Sequence, residues 1–245
     1  MKRISEHGKK REGRGRGAGV GYKPYIQCRE FNSLGTCSTP IDWKTGRTVE
    51  LLSQAEKAVW YLLRWEDDVV DILEQYPLDL SKTVALAEAY GIQHPKDTRT
   101  RMTTDFLVVM KDGTRNAVSV KADERDLKNK RTVEKLFLEK TFWENEGVPF
   151  VIMLKSRVNM TKVHNIRMVT EFYDPTLVFD DMSALKHLIA RKVIRVDMES
   201  APLDFPGLLR ENCEVVRKWM DLHSLLQQSF KKTAYSTESY IVTPR

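Results

Sequence analysis

The chain has only three cysteines, Cys28, Cys37 and Cys213, with no C-x-x-C pair among them. That excludes a disulfide framework and a zinc ribbon, and the three are read as free thiols. No apolar run comes near the roughly 20 residues that a membrane-spanning helix needs, so a span is excluded as well. Met1-Lys2-Arg3 is followed by more charge instead of the apolar core of a signal peptide, and a cytoplasmic protein is expected. The histidines His7, His94, His164, His187 and His223 show no metal-ligand spacing, and His94-Pro95 reads as a structural loop. The glycines of 13–19 are not a phosphate loop, because no strand precedes them and no G-K-[ST] follows. A basic excess is missing from the body of the chain too. Residues 1–24 hold eight basic and two acidic side chains, the whole of the net +6, and the remainder balances at 32 of each sign.

What is present is ordinary globular composition, 41% hydrophobic and 30% charged over 245 residues, which suits one sizeable core with an appendage. Residues 1–24 are expected to form a flexible, glycine-rich basic arm. Lys9, Lys10, Arg11, Arg14 and Arg16 are its candidate DNA contacts, since a cationic arm binds phosphate by counterion release. The other reading of the arm is a solvated tail that keeps the protein soluble. Residues 170–245, with 10 basic and 11 acidic side chains, offer little electrostatic footprint for DNA and are read as a protein-contact region.

Hydrophobic periodicity supplies the organisation. Leu52, Ala55, Val59 and Leu62 recur at helical spacing behind Ser53, whose partner three positions on is Glu56, a capping-box pattern. Val69 to Leu73 reads as a strand and Lys82 to Tyr90 as a helix. Met102 to Met110 and Asn116 to Lys121 form a hairpin around Lys111-Asp-Gly-Thr114. A helix follows over Thr132 to Glu146. Phe150 to Leu154, wholly apolar, predicts a central strand covered on both faces. Helical fragments at Asp180 to Lys192 and Pro206 to Leu226 precede a polar tail after Lys231. The order implies an α/β core with a mixed sheet over 25–173, and a small, mainly helical domain over 174–245.

The hairpin brings Asp105 and Lys121 to one sheet edge, and the helix supplies Glu56. Carboxylates hold Mg²⁺, and a lysine orients or deprotonates water and offsets developing charge, so the trio suits phosphodiester hydrolysis. Each residue also has a plainer reading: Glu56 as a helix cap, Asp105 as a turn residue, Lys121 as a strand-end lysine in solvent.

Lys10-Arg-Glu-Gly-Arg-Gly15, Lys44-Thr-Gly-Arg47, Leu51-Leu-Ser-Gln-Ala-Glu56, Leu63-Arg-Trp-Glu66, Ile72-Leu-Glu-Gln-Tyr-Pro-Leu78, Gly91-Ile-Gln-His-Pro95, Met102-Thr-Thr-Asp-Phe-Leu107 and Arg131-Thr-Val-Glu-Lys-Leu136 occur in an order and spacing that resemble the TnsA family, endonuclease subunits of heteromeric cut-and-paste transposases. The resemblance spans residues 10 to 170 or so. It implies a restriction-endonuclease-like fold and a winged-helix-like C-terminal domain. It implies catalysis by Glu56, Asp105 and Lys121, with Mg²⁺, replaceable by Mn²⁺, held by Glu56, Asp105, Ser119 and the Val120 carbonyl. Its partners would be double-stranded transposon-end DNA, a TnsB-type transposase that cuts the 3′ ends, and a TnsC-type AAA+ regulator docking on the C-terminal domain. Ser119 departs from the pattern, since the family has Gln or Glu there. A hydroxyl is only a neutral ligand, so Glu134 or Glu139 is expected to supply the missing carboxylate. Two other readings stand beside this one: a resolvase- or restriction-type nuclease of the same fold, and a non-catalytic scaffold with a decayed site.

Overall fold

The computed structural model describes residues 4–30, 36–95 and 100–237, with side chains as far as 226. Lys2 and Arg3 of the arm, and the end of the C-terminal tail, lie outside the described residues. The chain divides into two compact units, Met1–Val163 and His164–Arg245.

The first unit is built on a four-stranded sheet in the order β1-β2-β3-β4: β1 (Val69–Pro77), β2 (Thr103–Met110), β3 (Arg115–Lys121) and β4 (Phe150–Leu154). The β1/β2 and β2/β3 pairs are antiparallel, while β3 and β4 are parallel, so the sheet is mixed as expected. The β2–β3 turn closes where Met110 N–H donates to the Thr114 carbonyl at 2.9 Å. Gly113, at φ +85°, supplies the left-handed residue the turn requires. Helix α2 (Gln54–Trp65) starts at Ser53, whose hydroxyl accepts the Glu56 N–H at 3.1 Å. Helix α4 (Lys130–Asn145) starts at Asn129 in the same manner, and α3 (Leu80–Ala89) at Asp79. Leu73, Leu107 and Ala117 of the sheet pack with Leu138, Phe142 and Trp143 of α4 to make the core that fixes α4 on the strands.

Two expectations are overturned. The first is the flexible arm. Residues 4–24 are folded against β1, opening with a short helix, α1 (Glu6–Arg11). Gly19 N–H donates to the Asp71 carboxylate at 2.6 Å, the Tyr22 hydroxyl to the Glu74 carbonyl at 2.9 Å, and Tyr25 N–H to the Gln75 carbonyl at 3.3 Å. The glycines that suggested flexibility are what allow close packing. A Cβ on Gly15 would collide with the Pro77 ring, and one on Gly17 with the Gly21 carbonyl. Charge is absorbed as well: Lys9 and Arg14 are buried and paired with Glu30, and Arg14 pairs also with Glu12. The second is β4, which lies at an edge of the sheet. Val151 and Ile152 are exposed, because the apolar run signals a strand but not how many neighbours cover it.

Within the second unit α6 (Asp181–Ala190) packs on α7 (Phe205–Glu211) and α8 (Cys213–Thr237). Helix α5 (Met160–Thr170), which periodicity did not reveal, runs into this unit, where the Asn165 amide donates to the Met198 and Ala201 carbonyls at 3.0 and 2.8 Å. Among the described residues of this unit there is no strand, so the wing of a winged helix has no counterpart there. No helix among the described residues is long and apolar enough to cross a membrane.

Candidate active site

Glu56, in the first turn of α2, is held by three donors. Leu52 N–H donates to Oε2 at 2.9 Å, the Ser53 hydroxyl to Oε1 at 3.0 Å and the Gln75 amide to Oε2 at 3.3 Å. The Ser53 cap is therefore present, but the reciprocal bond of a capping box is replaced by the Leu52 N–H, and the cap does not exhaust the role of the residue. Burial, and after it the charge of Asp105, raise the Glu56 carboxyl from 4.5 to about 7 against the pull of those three hydrogen bonds. The cap reading and the site reading describe one geometry, because the cap fixes the carboxylate beside Asp105.

Asp105 sits where the β2/β3 ladder stops. The strands pair from Val109↔Arg115 down to Phe106↔Val118. Beyond that point the Val120 N–H donates at 2.7 Å to Asp105 Oδ2 instead of to a main-chain carbonyl. The Asp105 and Lys121 side chains at this end are partly exposed at the rim of a polar notch. Ser119 and Lys121, two apart on β3, reach the same side of it. The Lys121 ammonium donates to Ser119 Oγ at 3.1 Å and to the Val120 carbonyl at 2.7 Å, and lies 4.0 Å from Asp105 Oδ2. Ser119 donates in turn to Asp105 at 3.4 Å. The Ser119 hydroxyl and the Val120 carbonyl, expected as metal ligands, are thus already engaged with Lys121.

Of the two glutamates considered as replacements for the missing carboxylate, α4 brings only one to the notch. Glu134 pairs with Arg131 at 3.1 Å and Lys130 at 3.8 Å on the helix surface. Glu139 is buried at 1% exposure, and its Oε1 has no hydrogen-bond partner. Burial and then Asp105 push its carboxyl to about 7, while Lys135, the Thr104 hydroxyl and Lys121 pull it down. Thr104 is fixed by the Trp143 indole N–H at 2.7 Å. Among the described residues no group of three or more His, Cys, Asp or Glu side chains is placed so that it could hold a metal ion as it stands.

Sequence reasoning missed Gln75. It is a non-glycine residue at φ +50° in the middle of β1, its side chain buried between Glu56 and the Thr103 hydroxyl, which donates to Gln75 Oε1 at 3.1 Å. Left-handed backbone at such a residue costs roughly 1–2 kcal/mol and persists where surroundings enforce it, often at functional sites. The signal was present only as an amide inside an apolar strand.

Of the candidate DNA contacts, Lys10, Arg11 and Arg16 are not buried, whereas Lys9 and Arg14 are enclosed and ion-paired. These two hold the N-terminal segment in place through ion pairs with Glu30 and Glu12, so the segment is not a loose arm.

Two buried glutamates, a partly exposed aspartate and a lysine thus form one acidic cluster, and the comparisons place the chain among endonucleases. Residues 66–155 match the family described as "TnsA-like endonuclease N terminal", a stretch that includes Asp105, Lys121 and Glu139. The chain is 37% identical over 190 residues to the Transposon Tn7 transposition protein TnsA of Escherichia coli, covering 74% of this chain and 69% of that protein. It belongs to the TnsA-like endonucleases of Tn7-type transposition systems.

Proposed function

We propose that this endonuclease cleaves the 5′ ends of its transposon, as the nuclease subunit of a cut-and-paste transposase, with Glu56, Asp105, Glu139 and Lys121 as its working groups. The observation that carries the reading is the convergence of Glu56 and Glu139 on Asp105. Both carboxyls are buried and raised to about 7, and the Lys121 ammonium stands 4.0 Å from Asp105. Such a cluster is costly to a fold unless a cation or the substrate completes it.

The fit of a divalent cation rests on the orphaned Glu139 Oε1 and on a donor set made of oxygen alone. Glu56, Asp105 and Glu139 would hold Mg²⁺, or Mn²⁺ in its place. When bound, the ion polarises the scissile phosphate and lowers the pKa of water. Lys121 positions the attacking water and offsets charge developing on the phosphate oxygens. Ser119 and the Val120 carbonyl hold the ammonium in place, and the Val120 N–H keeps Asp105 turned into the notch. Attack in line with the leaving 3′ oxygen leaves a 5′-phosphate and a 3′-hydroxyl.

The same reading gives the first unit a restriction-endonuclease-like core. Its partners are element-end DNA, a TnsB-type transposase and a TnsC-type regulator met by the C-terminal helices. The test is strand-specific cleavage of element ends by the chain assembled with those partners. Asp105→Ala is expected to abolish the 5′ cut and leave products joined only through 3′ ends. Normal double-strand excision by that variant would reject the site.

A further inference from the structure

The N-terminal segment that sequence alone treats as a loose arm encloses a cavity of about 480 Å³ lined by His7, Lys10, Arg14, Arg16 and Arg101, with Tyr25, Pro77 and Leu80 as walls. Four permanent cations face one carboxylate, Glu6, which is engaged by the Tyr25 hydroxyl. Arg14 is fully enclosed. Its Nε donates to Glu12 at 2.8 Å and its Nη1 to Glu30 and, at 3.4 Å, to the Tyr25 carbonyl. Among the described residues its Nη2 has no hydrogen-bond partner. A guanidinium N–H buried without an acceptor costs about 1–3 kcal/mol or more, and an oxygen anion entering the cavity would remove that cost.

The cavity has a structural path to the active site. Pro77 in its wall pairs with Thr103, whose hydroxyl donates to Gln75, and Gln75 donates to Glu56. Thr103 is two residues from Asp105, about 6.8 Å of strand. Gly15 keeps the segment close enough to close the wall, since a side chain there would meet Pro77.

We infer that this cavity is a preformed phosphate-binding site that grips the DNA backbone a short distance from the scissile bond, with Lys10, Arg16 and Arg101 as outer contacts and Arg14 Nη2 as the buried donor. The inference rests on the endonuclease reading for its choice of DNA as the source of the phosphate. It adds Arg101, which lies outside the N-terminal segment, to the DNA surface and removes Lys9 from it.

The test uses the full chain in EDTA, so that a cation at the carboxylates plays no part. Anisotropy of double-stranded element-end DNA is followed across a salt series for the parent and for Lys10→Gln, Arg16→Gln and Arg101→Gln, with thermal melting to check folding. Inorganic phosphate is titrated separately while the side-chain nitrogen signal of Arg14 is followed by NMR. Each variant is expected to weaken DNA binding roughly three- to tenfold and to reduce the slope of log affinity against log salt by about one. Phosphate is expected to shift the Arg14 signal in the parent. An unchanged slope in all three folded variants, or no binding by the parent, overturns the assignment. A phosphate-shifted Arg14 signal with an unchanged DNA slope overturns it too, and makes the cavity a small-anion site. None of these outcomes depends on cleavage, so the Asp105→Ala experiment judges the nuclease reading separately.

Discussion

Replacing Glu139 by glutamine should stabilise the metal-free protein above neutral pH while abolishing cleavage. The carboxyl is buried, its Oε1 is unpartnered, and it is raised from 4.5 to about 7 by burial and Asp105. A carboxyl raised in the folded state holds its proton more tightly folded than unfolded. Its contribution to stability is therefore complete below about 4.5 and is lost as pH climbs through about 7. A shift of this size corresponds to ~3 kcal/mol at about 1.4 kcal/mol for each unit. Glutamine, neutral at every pH and close in shape, escapes that loss. Melting of Glu139→Gln in EDTA is thus expected about 6–12 °C above the parent near pH 8, and level with it near pH 4. Added Mg²⁺ should raise the melting point of the parent and leave the variant where it was, because binding to the folded state alone stabilises it. The assay is thermal melting at the two pH values with and without Mg²⁺, beside strand-specific cleavage. A variant that melts below the parent near pH 8 would refute the reasoning, since it would mean that Glu139 is ionised and well paired. A variant that cuts at the parental rate would remove it from the site.

Four further outcomes are expected. Lys121→Ala should reduce 5′ cleavage by roughly 10²- to 10³-fold with assembly on DNA unaltered, read on strand-specific gels; cleavage within a few-fold of the parent would exclude the lysine. Ser119→Ala removes an acceptor 3.1 Å from that ammonium and should lower the rate about tenfold without changing the Mg²⁺ concentration needed, since the hydroxyl positions lysine and is not a ligand. A raised Mg²⁺ requirement would contradict this. Gln75→Gly relieves the φ +50° backbone but deletes the amide on Glu56, so it should leave melting within a few degrees of the parent and still lower cleavage roughly tenfold. Arg47→Met should destabilise by about 3–5 kcal/mol in denaturant unfolding, because Arg47 forks onto Glu74 at 2.6 and 2.8 Å and its loss would leave that carboxylate buried without a cation, held only by the Glu50 N–H at 3.0 Å.

Elements that announce themselves locally were legible in the sequence, and those whose state is set by distant partners were not. The hairpin carrying Asp105 and Lys121 could be read because two short apolar runs and the Gly113 turn between them are written within a few residues. Helix α2 and its Ser53–Glu56 cap were legible for the same reason. Residues 4–24 defeated local reading. A glycine-rich basic stretch has the composition of a disordered tail, yet here the partners that order it, Glu30, Asp71 and Glu74, lie elsewhere in the chain. β4 was read as a strand and misplaced in the sheet, since hydrophobicity reports affinity for a core and not the number of neighbours.

The site divides along the same line. Glu56, Asp105 and Lys121 could be named as candidates from residue types in a recognised order. The choice between Glu134 and Glu139 needed the helix seated on the sheet, because both lie on α4 and only the register of Leu138, Phe142 and Trp143 in the core decides which glutamate turns toward Asp105. Five residues is nearly one and a half turns at 3.6 residues per turn, so the two face opposite sides of the helix. One is left in the salt bridges of the surface and the other beneath it beside Asp105. The serine that looked like a lost ligand is then the complement of that glutamate: its small hydroxyl fits at 1% exposure between Asp105 and Lys121, where a longer Gln or Glu would crowd the buried notch. In this chain the carboxylate beside Asp105 on that side is Glu139 of α4, and β3 contributes a hydroxyl.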